Sequence, residues 1–304
     1  MISFSTCWNS ARHTTGDAML REIKTKLGFE LIELDHGVHS SLMPGIQQVF
    51  DAGEIRFSSL HNFCLLPTQA TVPSPDGYQF SAASAEERER AVTQAFEAID
   101  LAAQLNATFV VLHMGKVNMS PITDRLIAMA KAGGYLSREY VRTKISAVRE
   151  REKIAPECLG RVKNCLLRVI DHAAPKNIRI GLEARRDYAQ IPTERELSEL
   201  LEVMNSPHLG YWHDFGHCQV KDNLGFIDHA EWLRAVGPRT FGCHVQDCIW
   251  PAREGQPPFT GGVDFEKLVP LLPTNCLFVW EMKANTTADA IRQSVQIWKE
   301  RFGG

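Results

Sequence analysis

At 304 residues, 44% hydrophobic and 23% charged, the chain is long enough to enclose one large core and too balanced in composition for a disordered or membrane-spanning protein. The net charge is −3 and the 33 Lys and Arg are spread along the chain, so there is no basic stripe for a phosphate backbone, and nucleic acid is not an expected partner. Eight cysteines (Cys7, Cys64, Cys158, Cys165, Cys218, Cys243, Cys248 and Cys276) contain no C-x-x-C pair and read as free thiols; with no basic-then-apolar leader and no long uncharged apolar run, a cytoplasmic protein with no membrane partner is the expectation.

In chain order, short β-rich runs recur at 2–6, 29–35, 55–62, 108–115, 178–185, 209–214, 240–247 and 276–283. Helical periodicity separates them, for example in the stripe Ala91, Ala95, Ala98, Ile99, Ala102 and Leu105. Two capping-box signatures, Ser84 with Glu87 and Thr193 with Glu196, mark helix starts. Strand followed by helix, repeated eight times in a chain not far above the usual ~250 residues, predicts a single (β/α)8 TIM barrel of the α/β class. One domain is expected over residues 1–304, with extended loops after the third and fourth strands. The first loop, 63–83, carries Pro67, Pro73, Pro75 and Asp76-Gly77; the second is an insertion at about 116–150 whose charged segment, 140–152, reads as a solvated helix face.

The strand ends carry the chemistry. Runs two to eight finish on Asp35-His36, His61-Asn62, His113, Glu183, Asp214, His244 and Glu281, at the end of a barrel where active sites form. Several of these sit in apolar surroundings: Ile-Gly-Leu-Glu183, Gly-Tyr-Trp-His-Asp214, Phe-Gly-Cys-His244 and Leu-Phe-Val-Trp-Glu281. Burying several carboxylates together is prohibitive unless a cation neutralises them or they take up protons. Three carboxylates and one imidazole suit a divalent ion, manganese or magnesium first, with cobalt or zinc as alternatives. His217, three residues after Asp214, is expected on a loop leaving the sixth strand, with Gly216 giving that turn its conformational freedom.

Gly-Leu-Glu183, the Asp-x-Gly-His of 214–217, His244-Val-Gln-Asp247 and Trp-Glu281-Met-Lys, in this order, resemble the xylose-isomerase-like sugar isomerases and epimerases. That resemblance implies that Glu183, Asp214, His244 and Glu281 bind one divalent metal. It further implies that Glu183 and Glu281 are the catalytic pair, moving a proton on the carbon beside the carbonyl of a small polyhydroxylated substrate through an enediolate. The chain departs from the epimerases in lacking a second Glu soon after Glu183, and its first Arg after His244 is Arg253.

His61, His113, His217, Trp8, Arg185 and Lys283 are the substrate-binding candidates. Arg185 and Lys283 stand two residues beyond ligand carboxylates and so share their face; Trp8, with Trp250 as a second aromatic, offers a ring for a sugar face. The expected partner is a small sugar, and the expected assembly a homodimer. The alternatives are a metal-dependent lyase of the inosose- or dehydroshikimate-dehydratase kind, an apurinic-site endonuclease and a sugar-binding barrel without activity. The endonuclease needs a further Asp-x-His after the strand-seven His, and no histidine follows His244.

Overall fold

The computed structural model describes residues 1–66 and 74–303. Each strand-like run supplies one barrel strand: β1 (Ile2–Ser5), β2 (Leu31–Leu34), β3 (Arg56–His61), β4 (Phe109–Leu112), β5 (Arg179–Glu183), β6 (Leu209–Asp214) and β7 (Thr240–Val245). A hairpin of β8 (Asp247–Ile249) and β9 (Arg253–Gln256) follows, then the last barrel strand, β10 (Leu277–Trp280). The order β1-β10-β7-β6-β5-β4-β3-β2 closes on itself, which is the TIM barrel expected and leaves the main sheet no edge. The ladders are shorter than the sequence runs because the polar residues after each strand leave the sheet and gather at its mouth: Asp35 and His36 after β2, His113 after β4 and Glu281 after β10. The run 240–247 divides in two, and its last residue opens the antiparallel hairpin, which the sequence pattern does not separate from the strand.

A packed plug lies beneath that mouth. Val111, Trp212, Leu277 and Val279 fill the interior, and the strand glycines beside Trp212 are there for space. A Cβ at Gly242 would stand 2.5 Å from the Trp212 ring, and one at Gly181 would stand 2.9 Å from it. The indole supports the site above, its ring centroid 5.6 Å from that of His244.

Outside the barrel, helix Ala85–Gln104 buries the alanine stripe, and Ser84 caps it by accepting from the Glu87 amide. Thr193 and Glu196 form the full reciprocal box at helix Glu194–Met204. Residues 116–150 contain helix Ile122–Lys131 and the start of helix Arg138–Ala173, the long crossover to β5. The charged segment 140–152 is not simply solvated: Tyr140, Ala147 and Arg151 are buried, because Arg151 forks onto Glu196 at 2.5 and 2.9 Å and ties the two helices together. Of the loop after β3, Pro67 and Pro73 lie outside the described residues, whereas Pro75 and Asp76 reach the barrel mouth. All eight cysteines are free. No helix among the described residues is long and apolar enough to cross a membrane.

β6 is fixed from outside by a chain of hydrogen bonds. Trp232 Nε1 donates to Tyr211 Oη (2.9 Å), and Tyr211 Oη meets His213 Nδ1 (2.9 Å). His213 Nε2 meets His229 Nε2 (3.1 Å), and His229 Nδ1 meets Gln219 Oε1 (3.3 Å). The amide oxygen can only accept, so the His229 proton sits on Nδ1 and His213 donates from Nε2; every group is satisfied with both rings neutral.

Two stability predictions follow from this layer. Burial first, and then the neighbouring Lys221, hold the His229 pKa down to about 3 against an ordinary 6.5. A histidine kept neutral in the fold takes up a proton in the unfolded chain below its ordinary pKa. Stability is therefore full above about pH 6.5 and falls with pH below it, by up to about 1.4 kcal/mol per pH unit for each such ring. Urea unfolding between pH 7 and 5 should show this slope, and His229→Gln should flatten it; an unchanged slope in the variant contradicts the assignment. Arg151→Met should cost about 3–5 kcal/mol, because it strands a buried carboxylate. The double variant with Glu196→Leu should recover part of that loss, and a cost below about 1 kcal/mol for Arg151→Met would count against the buried pair.

Candidate metal centre

The register places the acids and His244 side by side. Asp214 on β6 pairs with His244 on β7, which pairs in turn with Val279 on β10, two residues before Glu281. Around His244 Nδ1 stand Glu183 Oε1 at 3.3 Å, Glu281 Oε2 at 3.6 Å and Asp214 Oδ2 at 3.8 Å. Asp214 and His244 are fully buried and Glu183 is 2% exposed. The four side chains proposed from sequence as ligands thus converge on one point.

His244 is oriented from behind by Glu33, a fully buried carboxylate on β2 that the sequence reading passed over. Its oxygens lie 3.2 and 3.4 Å from His244 Nε2, and Ser59 Oγ donates to Oε2 at 2.8 Å. A carboxylate at Nε2 places a ring proton there and turns the Nδ1 lone pair toward the three acids, the arrangement by which proteins aim a histidine at a metal. The signal was present in Leu-Ile-Glu33-Leu, a lone acid inside an apolar strand and on the same alternating face as Asp35.

The electrostatics describe a site short of positive charge. Burial, with Glu281 and Glu183 close by, pushes the Asp214 pKa up to about 6 even though His217 opposes it. Burial works against charge on Glu183, yet His113 and His244 outweigh it and hold its carboxyl well below the usual range. Burial likewise opposes a charged His244, but Glu281, Glu33 and Glu183 push its pKa well up. Hard carboxylate donors with one aimed imidazole, crowded enough to hold extra protons, are a donor set that fits a divalent ion.

His217 is not on a loop. Helix Phe215–Asn223 begins directly after β6; Asp214 caps it by accepting from the His217 amide at 2.6 Å, which turns the imidazole back over the site. Gly216 is needed for space rather than for backbone freedom, since a Cβ there would stand 2.9 Å from the Gln246 side chain. Gln246 Nε2 donates to Asp214 Oδ2 at 2.7 Å and to Glu281 Oε2 at 3.1 Å, fixing both acids. His217 Nδ1 lies 2.9 Å from Glu254 Oε2 on β9, and its Nε2 lies 3.6 Å from Glu183 Oε1. Burial disfavours its charge, yet Asp214 and Glu254 push its pKa up to about 9. Neither Gln246 nor Glu254 stood out in the sequence, because the hairpin that carries Glu254 was not foreseen.

The other candidates divide. His61 and His113 both touch Glu183 Oε2 with Nε2, at 2.9 and 2.7 Å. Arg185 is buried against His113 and pairs with Asp76 at 3.0 Å. Lys283 donates to the Glu254 carbonyl at 2.7 Å. All four line or border a cavity of about 440 Å³ that also exposes His217, Glu254 and Glu281. Trp8 does not: its ring packs edge-on against Phe4, its indole N–H donates to the Thr286 carbonyl, and Cys7 takes its place in the lining. Trp250 is packed against Tyr135, also outside that cavity.

A barrel with this ring of acids and imidazoles at the C-terminal ends of its strands defines a class, and the sequence agrees with it: the chain belongs to the xylose isomerase-like TIM barrel family, whose model matches residues 25–301. Similar solved structures include a D-tagatose 3-epimerase-like protein (18% identity, 99% of this chain and 96% of that one, TM-score 0.69). Another is the 3-keto-D-glucoside 4-epimerase from E. coli (16%, 98% of each chain, TM-score 0.65). The IOLI protein, with a bound zinc atom, is a third (14%, 100% and 99%, TM-score 0.67). The sequence matched none of the curated proteins with which it was compared.

Replacing Glu33 by Gln keeps its shape and removes the charge that holds His244. Metal affinity, read by titration of the metal-free protein with Mn2+ or Zn2+, should fall about 10–100-fold; an unchanged affinity would separate Glu33 from the centre.

Proposed function

We propose that this protein is a metal-dependent sugar isomerase or epimerase acting on a small polyhydroxylated carbonyl compound, with Glu183, Asp214, His244 and Glu281 holding one divalent ion. The observation that carries this reading is the convergence of three carboxylates on His244 Nδ1, with the other ring nitrogen occupied by Glu33. The similarity to proteins named as 3- and 4-epimerases of sugars, and to one with bound zinc, supports it. Manganese or magnesium suits the oxygen-rich set, and zinc suits the imidazole.

The bound ion supplies Lewis acidity that makes a C–H beside a carbonyl easier to ionise. The chain supplies the rest. Glu183 and Glu281 come from β5 and the end of β10, three places apart around the barrel, so they reach a substrate from different sides. In epimerisation one removes the proton from the carbon and the other returns one to the opposite face of that carbon; in isomerisation a single one of them carries the proton, on one face, to the neighbouring carbon. His217, kept charged by Asp214 and Glu254, presents Nε2 to the cavity as a donor for a substrate oxygen. Gln246 holds Asp214 in place, and Glu281 while its charge changes.

The test is proton NMR in heavy water with a panel of ketoses and added Mn2+. Exchange at a single carbon-bound position is expected, and Glu183→Gln or Glu281→Gln should slow it by about 10²- to 10⁴-fold. Full exchange in both variants would refute the mechanism. An alkene-type product would instead identify a dehydratase.

A further inference from the structure

We infer that a second pocket beside the barrel mouth takes a second ring of the substrate, so that the substrate is a glycoside or disaccharide of a keto sugar; this rests on the isomerase reading above. The pocket is separate from the cavity that holds the metal-centre residues. It encloses about 280 Å³, against about 440 Å³ for the mouth cavity, and it lies between the loops that follow β3, β4 and β5.

The partition between the two is thin and polar. Asp76 lines the pocket, and its oxygens meet His113 at 3.3 Å and Arg185 at 3.0 Å, both of which line the mouth cavity. Arg186, next in the chain, pairs with Asp187 at 2.9 Å and Asp124 at 3.4 Å on the pocket side, and lies 3.5 Å from Glu254 Oε1 on the mouth side. One layer of ion pairs therefore separates a sugar at the metal centre from the pocket.

Hydrogen bonds tie the pocket walls together. The Val117 N–H donates to the Ala189 carbonyl at 2.7 Å and the Ile191 N–H to the Gly115 carbonyl at 2.9 Å, while Lys116 and Gln190 form an antiparallel bridge. Ser81 Oγ accepts from the Lys116 N–H at 3.0 Å and donates to the Lys116 carbonyl at 2.9 Å, which clamps the loop after β3 to the loop after β4. Gly115 is required at that clamp: its φ is 103°, and a Cβ there would collide with Ser81 Oγ. The Tyr188 N–H donates to Thr123 Oγ1 at 2.9 Å and fixes the start of helix Ile122–Lys131 against the β5 loop. Walls braced in this way are formed before a ligand arrives, so little ordering is left for binding to bring about.

The lining suits neutral hydroxyl groups. Three carboxylates, Asp76, Asp124 and Asp187, are matched by three cations, Arg185, Arg186 and Lys116, so no net charge draws a phosphate or an ammonium group. Gln79 Oε1 accepts from the Lys116 N–H at 3.2 Å and Gln190 Oε1 from the Asp187 N–H at 2.8 Å, which leaves each side chain its amide NH2 for a ligand. A sugar hydroxyl both donates and accepts, and carboxylate oxygens and amide N–H groups around one pocket serve both needs.

Calorimetric titration of the metal-loaded, full-length protein tests this by comparing fructose with three of its glycosides, turanose, lactulose and palatinose. At least one glycoside is expected to bind tenfold or more tightly than fructose. Asn118→Trp, at an exposed residue of the lining, fills the pocket and should bring that glycoside back to the affinity of fructose. Gln79→Glu keeps the acceptor for the Lys116 N–H but loses the amide donor, and should weaken the glycoside about tenfold. Circular dichroism checks that both variants fold. Equal affinity for fructose and all three glycosides, or glycoside binding untouched in both variants, overturns the second ring; proton exchange on fructose would then still uphold the isomerase reading. Glycoside binding that both variants weaken, with no exchange on any sugar, upholds the pocket and refutes that reading.

Discussion

Everything at the mouth of this barrel follows from one constraint: carboxylates buried in a dry, packed place must be neutralised. Glu33, Glu183 and Asp214 are each at most 2% exposed, and Glu281 joins them from the end of β10. Trp212 and the aliphatic plug keep water from reaching them from below, so screening is weak there. The fold answers with imidazoles. His244 lies between Glu33 and the other three acids, His61 and His113 meet Glu183, and His217 lies against Asp214 and Glu254. A ring that balances charge here does so as an imidazolium, and on losing that proton it would offer a lone pair to a metal.

The precision of the centre comes from layers that never touch it. Alternation along β6 turns Asp214 inward and His213 outward, where a chain of hydrogen bonds to Tyr211, His229 and Gln219 fixes the strand against its helices. The amide cap that Asp214 gives His217 makes the start of one helix part of the site. Small residues do similar work by absence. Gly242 leaves room for Trp212 and Gly216 for Gln246, so two supports of the acids occupy space that a methyl group would deny them.

The chain also departs from the epimerase pattern in ways that belong together. There is no second Glu soon after Glu183; instead Glu254, which Arg186 approaches, arrives from the β8–β9 hairpin and lies beside His217. On the opposite wall, Asp76 comes in from the loop after β3 to hold Arg185 and His113. Two loops unrelated in sequence thus each bring one carboxylate to a basic group of the mouth, and they shape the cavity in which a substrate must fit. In this architecture selectivity generally varies with the loops while the barrel beneath is retained.

The sequence by itself determined the barrel and most of its ring of donors. Hydrophobic runs alternating with helical stripes leave few topologies, and a strand that ends in an acid can put it only at the C-terminal mouth; Glu183, Asp214, His244 and Glu281 were legible for that reason. Tertiary structure decided what depends on neighbours distant in the chain. Glu33 looks like any strand residue until β7 brings His244 onto it, 211 positions away. His217 is on a helix because Asp214 caps it, and Trp8 belongs to the wall behind the site because the Thr286 carbonyl claims its indole. Arg151, read as part of a solvated face, is buried because Glu196 waits on another helix. Local pattern sets which face a side chain presents, whereas its partner is set by the closure of the sheet.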